Sequence, residues 1–373
     1  MKNMVNPRVS IITVVKNGER TIEQTIRSVA EQSYGSIEYI IIDGNSTDGT
    51  GDIIKKYSDS ISIYIREDDK GIYDAMNKGI KAASGEIIGI INSDDWYEKD
   101  AIKNAVGEFT NDEASIDIVC GQGNIIKNGE VIGRSHKDSI EKIWYYFPFM
   151  HPAVFVRNSV YKERGAFDTG YRIAADYDLL LRFYTQGVRF KIVDQLWVNF
   201  RAEGISCTER IATAVESQRV RKMYAGYSSD EASILEYGEK KIDEECYNEA
   251  IERNDGILEI VLSEYVGRKV CIFGCGRWGR EIGEALDKIG YEVEAFIDND
   301  NGRWGKTISG CPVNSPCYLG KGKRDVVIAI MDKSDEVVSQ IEEIGNPDLR
   351  YVTIGTILKD IRTEVLNRKG ISI

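Results

Sequence analysis

Apolar runs of strand length recur along the first part of the chain, and each is followed by a segment whose apolar residues fall at helical spacing. Val9–Val15, Ile37–Ile42 and Ile87–Ile91 are largely apolar runs rich in Val and Ile, the pattern of strands buried on both faces of a parallel sheet, and Ile61–Ile65, with Ile at alternate positions, reads as a further strand. Between the first two, Thr21-Ile22-Glu23-Gln24 has the form of a capping box, and Ile22, Ile26, Val29 and Ala30 predict one buried helix face. A second helix is expected around Ile53, Ile54 and Tyr57, and a third around Met76, Ile80 and Ala83, closed by Gly85. Strands alternating with helices predict an α/β domain with a doubly wound parallel sheet.

In such a sheet the carboxyl ends of the strands share one edge, where ligands bind. Asn17, Asp43, Lys70 and the Asp94-Asp95 pair follow the four strands and are expected to converge there. Two adjacent carboxylates at a strand end are costly unless a positive group joins them; a hard divalent cation carrying a diphosphate is one candidate. A solvated turn that stops the strand is the other.

Four ordered blocks sharpen this picture: Ser10-Ile11-Ile12-Thr13-Val14, Asp43-Gly44-Asn45-Ser46-Thr47-Asp48-Gly49-Thr50, Lys70-Gly71-Ile72-Tyr73-Asp74-Ala75-Met76-Asn77-Lys78-Gly79, and Asn92-Ser93-Asp94-Asp95. Together they resemble the family 2 glycosyltransferases, which have the GT-A nucleotide-diphospho-sugar transferase fold. The resemblance implies that Thr13, Val15, Asn17, Asp43, Lys70, Asn77 and Asp94 surround the nucleotide-sugar, usually a UDP-sugar, with Asp43 toward the base and Asp94 toward the ribose. It implies that Asp95 ligates Mn²⁺ or Mg²⁺. The third block resembles the branch that builds capsule, exopolysaccharide and O-antigen, although Met76 stands where many relatives have Arg; Lys70 or Lys78 either supplies that charge or is a solvated surface lysine.

A sugar hydroxyl attacks well only when a base accepts its proton. Gly165-Ala166-Phe167-Asp168 and Ile173-Ala174-Ala175-Asp176-Tyr177-Asp178 resemble the acceptor-side segment of the same family, with Ala175 replacing a Glu and Asp176 in the place of the catalytic Asp. Asp176 could instead serve only as a helix N-cap. Asp178 is the runner-up base and is expected to face solvent. His151, before Pro152, either touches the diphosphate or acceptor or bonds the backbone. Arg201 and Ser206 fall where relatives have a flexible loop, without an assigned role. The resemblance implies direct displacement with inversion at the anomeric carbon.

It covers roughly residues 8 to 210, and a domain is drawn over 1–207. Residues 208–266 turn charged, with Ile211, Val215, Val220, Met223, Ile251, Ile257, Leu258, Val261 and Leu262 at helical spacing, and predict a helical connector. Over 267–373 a strand at Lys269–Phe273 leads into Gly274-Cys275-Gly276-Arg277-Trp278-Gly279 and a helix; Asp298 ends the next strand nineteen residues after Gly279. That is a dinucleotide fingerprint, with Gly274, Gly276 and Gly279 as the phosphate loop and Asp298 toward a ribose. The segment is similar to the small Rossmann-like domains attached to sugar acyltransferases. A bound nucleotide, nucleotide-sugar or NAD is one reading; a purely architectural module is the other. An NAD-linked sugar oxidoreductase centred here lacks a Tyr-x-x-x-Lys pair, and a non-catalytic nucleotide-sugar-binding scaffold is the non-enzymatic rival.

Composition narrows the partners. Sixty acidic against 48 basic residues, a net charge of −12, argue against nucleic acid. The seven cysteines are scattered without zinc-knuckle spacing and read as reduced thiols. Apolar runs stay far below membrane-span length and no signal-peptide pattern opens the chain. The expectation is a cytoplasmic enzyme acting on a glycan or a lipid-linked saccharide. Peripheral association with the inner membrane face and homo-oligomers remain open.

Overall fold

The structure is a computed structural model that describes residues 6–110, 116–253, 256–267, 269–331 and 333–372. It divides into two compact units, 1–238 and 239–373. The first contains strands β1 (Val9–Val15), β2 (Ile37–Asp43), β3 (Ile63–Arg66), β4 (Ile87–Asn92), β5 (Trp96–Tyr97), β6 (Ile118–Lys127), β7 (Glu130–Arg134), β8 (Val154–Arg157) and β9 (Phe190–Arg201). They form one sheet in the order β3-β2-β1-β4-β8-β6-β9-β5, with β7 paired to β6.

Parallel pairing joins β1 to β2, β1 to β4 and β2 to β3, whereas β8 runs antiparallel to both β4 and β6. The sheet is therefore mixed; the apolar runs predicted the parallel block β3-β2-β1-β4, while the parallel pairing of β6 with β9 was not foreseen. Every residue of β1 is buried because both faces are covered. Ile12 and Val14 pack with helices Ile72–Ala82 and Ala175–Thr185, while Ile11 and Val15 pack on the opposite face with helices Ile22–Ala30 and Ala101–Thr110. Successive strand residues point to opposite faces, so two covered faces require an unbroken apolar run.

Local details depart from the expectations. The third strand begins at Ile63, after a 3₁₀ turn at Ser58–Ser60. Thr21 is the N-cap of its helix but makes no side-chain capping bond, so the capping box is not formed, and Ala30 is exposed. The expected connector divides between the units. Helix Arg210–Tyr224 packs in the first unit against helix Ala175–Thr185, and Ile257–Tyr265 packs in the second against Ile354–Lys369. Met223, expected on a buried face, is 58% exposed.

The second unit holds β10 (Lys269–Phe273), β11 (Glu292–Ile297), β12 (Thr307–Ile308), β13 (Cys311–Asn314), β14 (Arg324–Ile328) and β15 (Leu349–Thr353), in the order β12-β13-β11-β10-β14-β15. Its core runs through Cys271, Phe273, Ile297, Val326 and Ile328. All seven cysteines are free. Among the described residues no helix is long and apolar enough to cross a membrane.

The turn from helix Ile72–Ala82 into β4 passes close to β1. A Cβ on Gly85 would lie 2.7 Å from the Ser10 nitrogen and 2.8 Å from the Arg8 oxygen, backbone atoms that cannot step aside. Gly85→Ala is expected to destabilise the protein by about 1–3 kcal/mol, seen as a lower urea midpoint at unchanged slope.

Candidate active site

A cavity of about 950 Å³ opens at the carboxyl ends of β1 and β4, lined by Val15, Asn17, Asp94, His151, Asp176 and Arg201 among others. Asn17 takes a left-handed conformation, φ 54°, which Asn tolerates better than other side-chain-bearing residues. Its N–H donates to Ser46 Oγ at 2.8 Å and its Oδ1 accepts from the Thr47 N–H at 2.8 Å. The loops after β1 and β2 are thus tied together at the rim.

Other residues expected around a nucleotide stand behind this wall. Thr13 is fully buried and its hydroxyl pairs with that of Tyr39 at 3.1 Å. Asp43, also fully buried, accepts from the Ser46 N–H at 2.8 Å and the Tyr64 hydroxyl at 2.9 Å, with Arg66 Nε at 3.6 Å. Burial, followed by the bond to Asp43 and its charge, pushes the Tyr64 hydroxyl up to about 12. Neither Tyr64 nor Arg66 stands out in the sequence, though parallel register places Arg66 directly beside Asp43. Lys70 is exposed, and its neighbours Asp69 and Gly71 line the cavity. Asn77 bonds the Phe167 N–H at 3.0 Å and its C=O at 2.9 Å, latching helix Ile72–Ala82 to the segment before Asp176.

The paired carboxylates have different surroundings. Asp94 lines the cavity, and burial raises its carboxyl pKa with Glu203 adding to the effect and Arg201 opposing it. Asp95 is 1% exposed, lies behind the wall, and accepts from the Arg201 N–H at 2.9 Å. Burial first, and then the charge of Asp94, push its carboxyl well above the ordinary range. Arg201, unassigned from the sequence, donates to the Asp94 carbonyl and to Gln24 Oε1 at 2.7 Å, and sits 4.7 Å over the Trp96 ring. Asn92 also lines the cavity, and its Oδ1 is buried without a hydrogen-bond partner.

Asp176 reaches the cavity from the first turn of helix Ala175–Thr185. It is not the N-cap: Ala174 holds that position, with no side-chain capping bond. Asp176 Oδ1 accepts from the Tyr177 N–H at 2.8 Å and lies 3.5 Å from the Tyr73 hydroxyl. Burial raises the Asp176 carboxyl to about 6 against these bonds. His151, on the same wall, is lowered by burial to about 4 and is neutral at physiological pH. Asp178 corrects an expectation: it is 2% exposed rather than solvent-facing, bonded to the Tyr224 hydroxyl at 3.0 Å with Arg182 at 3.7 Å. It occurs two residues along the helix from Asp176, on a different face.

The carboxylates Asp94 and Asp176 thus line one cavity at the strand ends. The model of glycosyl transferase family 2 matches residues 10–180. This stretch is similar to a family 2 glycosyltransferase domain.

The glycosyltransferase domain has named relatives. A PGL/p-HBAD biosynthesis glycosyltransferase of Mycobacterium bovis is 28% identical over 186 residues, 49% of this chain and 72% of the relative. An uncharacterized glycosyltransferase of Rickettsia typhi is 29% identical over 192 residues, 49% of this chain and 60% of the relative. Among solved structures, S. aureus TarS 1-349 in complex with UDP-GlcNAc superposes with a TM-score of 0.53 at 18% identity, covering 98% of this chain and 92% of that one. Of the longer TarS chain, this chain spans 43%. These likenesses support the GT-A fold, and the enzyme is a glycosyltransferase.

In the second unit, a model described as C2185-like, N-terminal, matches residues 266–352. The structure brings Gly274, Gly276, Gly279 and Asp298 together between β10, helix Arg277–Lys288 and β11. Gly274 has φ 110°, and a Cβ on Gly279 would lie 2.0 Å from the Gly274 oxygen, so both positions require glycine. Asp298 accepts from the Cys275 N–H at 3.2 Å and pairs with Arg303 at 3.2 Å. Its carboxylate therefore occupies a loop donor of the kind that phosphate uses.

Around Asp43, removal of the carboxylate strands the Ser46 N–H and the Tyr64 hydroxyl. Asp43→Ala is expected to cost about 2–3 kcal/mol of stability, measurable by urea denaturation without any ligand.

Proposed function

We propose that the chain is an inverting glycosyltransferase that moves a sugar from a nucleotide-sugar donor, a UDP-sugar, to a hydroxyl of a glycan or lipid-linked saccharide in bacterial surface polysaccharide assembly. The observation that carries this reading is the joint presence of Asp94 and Asp176 on the wall of one cavity inside a glycosyltransferase domain. The UDP-GlcNAc named with the structurally similar TarS protein supports the choice of donor.

A divalent cation fits the donor side. Asp94 offers a carboxylate and Asn92 an unpartnered amide oxygen on the same cavity wall, hard oxygen ligands of the kind Mn²⁺ and Mg²⁺ take. Among the described residues no group of three or more His, Cys, Asp or Glu is gathered to hold a metal ion, and a site that combines one or two protein oxygens with substrate phosphates is usual for Mg²⁺. When bound, such a cation would stabilise negative charge on the departing diphosphate. Asp94 lines the cavity, and Asp95, 1% exposed, has Oδ1 engaged by the Arg201 N–H but Oδ2 buried without a partner, so we assign the cation to Asp94 with Asp95 Oδ2 as the neighbouring candidate oxygen.

Asp176 accepts the proton of the attacking hydroxyl. A carboxyl titrating near 6 is a stronger base than an ordinary aspartate and is still ionised at neutral pH. The hydroxyl oxygen forms the new bond to the anomeric carbon as the bond to the diphosphate breaks on the opposite side, which inverts that centre. His151, held neutral, can donate or accept one hydrogen bond at the acceptor or diphosphate without adding charge.

Two outcomes test these roles. Mn²⁺-dependent UDP binding measured by calorimetry should be present in the wild type and fall at least tenfold in Asp94→Ala; unchanged affinity would remove Asp94 from the donor site. UDP release from UDP-sugars should drop by about 10²–10⁴ in Asp176→Asn. In the wild type kcat should fall as pH drops through about 6, because protonation removes the base. The stability effect has the opposite sign: the folded carboxyl binds its proton more tightly than the unfolded one, so stability declines as pH rises from about 4 to 6 and is level above. Asp176→Asn should therefore be no less stable than the wild type at pH 8, as read by thermal unfolding.

A further inference from the structure

The segment Arg172-Ile173-Ala174 leads into the helix that carries Asp176, and its three backbone N–H groups point at one carboxylate. Glu216 Oε2 accepts from Ile173 at 2.7 Å, from Ala174 at 2.9 Å and from Arg172 at 3.1 Å, while Oε1 accepts from Arg172 at 3.0 Å. These three donors precede the first helical residue, Ala175, and lie on the approach to the helix whose N-cap is Ala174. Glu216 belongs to helix Arg210–Tyr224, which lies beyond the residues matched by the family model.

That helix is also a wall of the cavity. Thr213 and Ser217 line it, one turn apart and beside Glu216. Farther along, the Tyr224 hydroxyl holds Asp178 at 3.0 Å, and Arg221 donates to the Tyr145 carbonyl at 2.8 Å. Tyr73 completes the arrangement from helix Ile72–Ala82: its hydroxyl donates to the Ile173 carbonyl and lies 3.5 Å from Asp176. The backbone just before Asp176 is thus fixed on its N–H side by Glu216 and on its C=O side by Tyr73.

We propose that Glu216 is a positioning residue: its carboxylate clamps Arg172-Ile173-Ala174 and so sets where the Asp176 carboxylate stands in the cavity, making helix Arg210–Tyr224 part of the catalytic unit. The proposal rests on Asp176 as the base for its functional consequence, though not for its geometry. A carboxylate taking three N–H bonds is a strong, directional anchor, and small displacements of a reacting group are costly in rate.

Charge links the same groups. Facing Asp176 are the Tyr73 hydroxyl from helix Ile72–Ala82, the Tyr177 N–H from its own helix, and Glu216 from helix Arg210–Tyr224; Glu216 raises the Asp176 carboxyl beyond what burial does. Arg172, which also lines the cavity, pairs with Glu209 and interacts with the charge of Glu216, and neutral His151 lines the cavity too.

The test uses the full chain in four forms: wild type, Glu216→Gln, Glu216→Asp and Asp176→Asn. Carbon NMR of Asp-labelled protein identifies the Asp176 carboxyl as the resonance lost in Asp176→Asn and follows its titration. UDP release from UDP-sugars across pH 5–9 gives kcat and KM. Glutamine keeps one acceptor oxygen and the volume of the side chain, so Glu216→Gln is expected to fold, to lose ten- to a hundredfold in kcat with donor KM within threefold, and to move both the Asp176 titration and the acidic limb of kcat to lower pH. Glu216→Asp, which keeps the charge on a shorter stem, should recover part of the pH dependence but not the full rate, and it decides the matter should Glu216→Gln not fold. An Asp176 resonance and titration unchanged in folded Glu216→Gln would overturn the proposal. If Asp176→Asn turns over normally, the base assignment fails by itself; a shifted Asp176 titration in Glu216→Gln would then still support the clamp, and an unshifted one would refute it.

Discussion

Parallel register is the constraint on which the rest of the first unit depends. Val14 pairs with Ile42 and with Asn92, and Val15 with Asp43, so the strand ends stop at one level and the loops that leave them are brought together. A shift of one residue would turn Ile12 and Val14 from one core layer to the other. The apolar runs fix register by filling both layers, and the polar residues at their ends inherit a common edge.

At that edge the electrostatic problem is one of holding carboxylates out of water. Each is handled differently. Asp43 is surrounded by donors and acts as a brace between loops. Asp95 is buried against the Arg201 backbone. Asp94 and Asp176 are left facing the cavity with raised affinity for protons, hence with raised affinity for a positive partner or for the proton of an acceptor.

Much of this was legible in the sequence, and for identifiable reasons. The strands and the cavity edge follow from periodicity, and Asp176 from its place in a recognisable segment. Which of two adjacent acids faces the cavity was not legible, because a strand end that turns does not keep the alternation of the strand, and Asp95 stands inside. Tyr64, Arg66 and Arg201 were unassigned because their partners come from register and from long-range contact. Glu216 was hidden more deeply: it sits in a charged helical stretch of ordinary composition, and its importance arises only where that helix meets the backbone ahead of Asp176. The second unit shows the converse. Its glycine pattern predicted the βαβ geometry correctly, while the engagement of Asp298 with the Cys275 N–H is invisible in spacing.

The central claim is that Asp94 and Asp176 face a single bound nucleotide-sugar from its two ends. Anomalous diffraction from crystals grown with Mn²⁺ and a non-hydrolysable UDP-sugar would test it most directly. The account predicts a manganese peak within ligand distance of Asp94 and the diphosphate, with the anomeric carbon turned toward Asp176. A manganese peak on Asp95 without Asp94, or a nucleotide seated only at Gly274–Gly279, would contradict it.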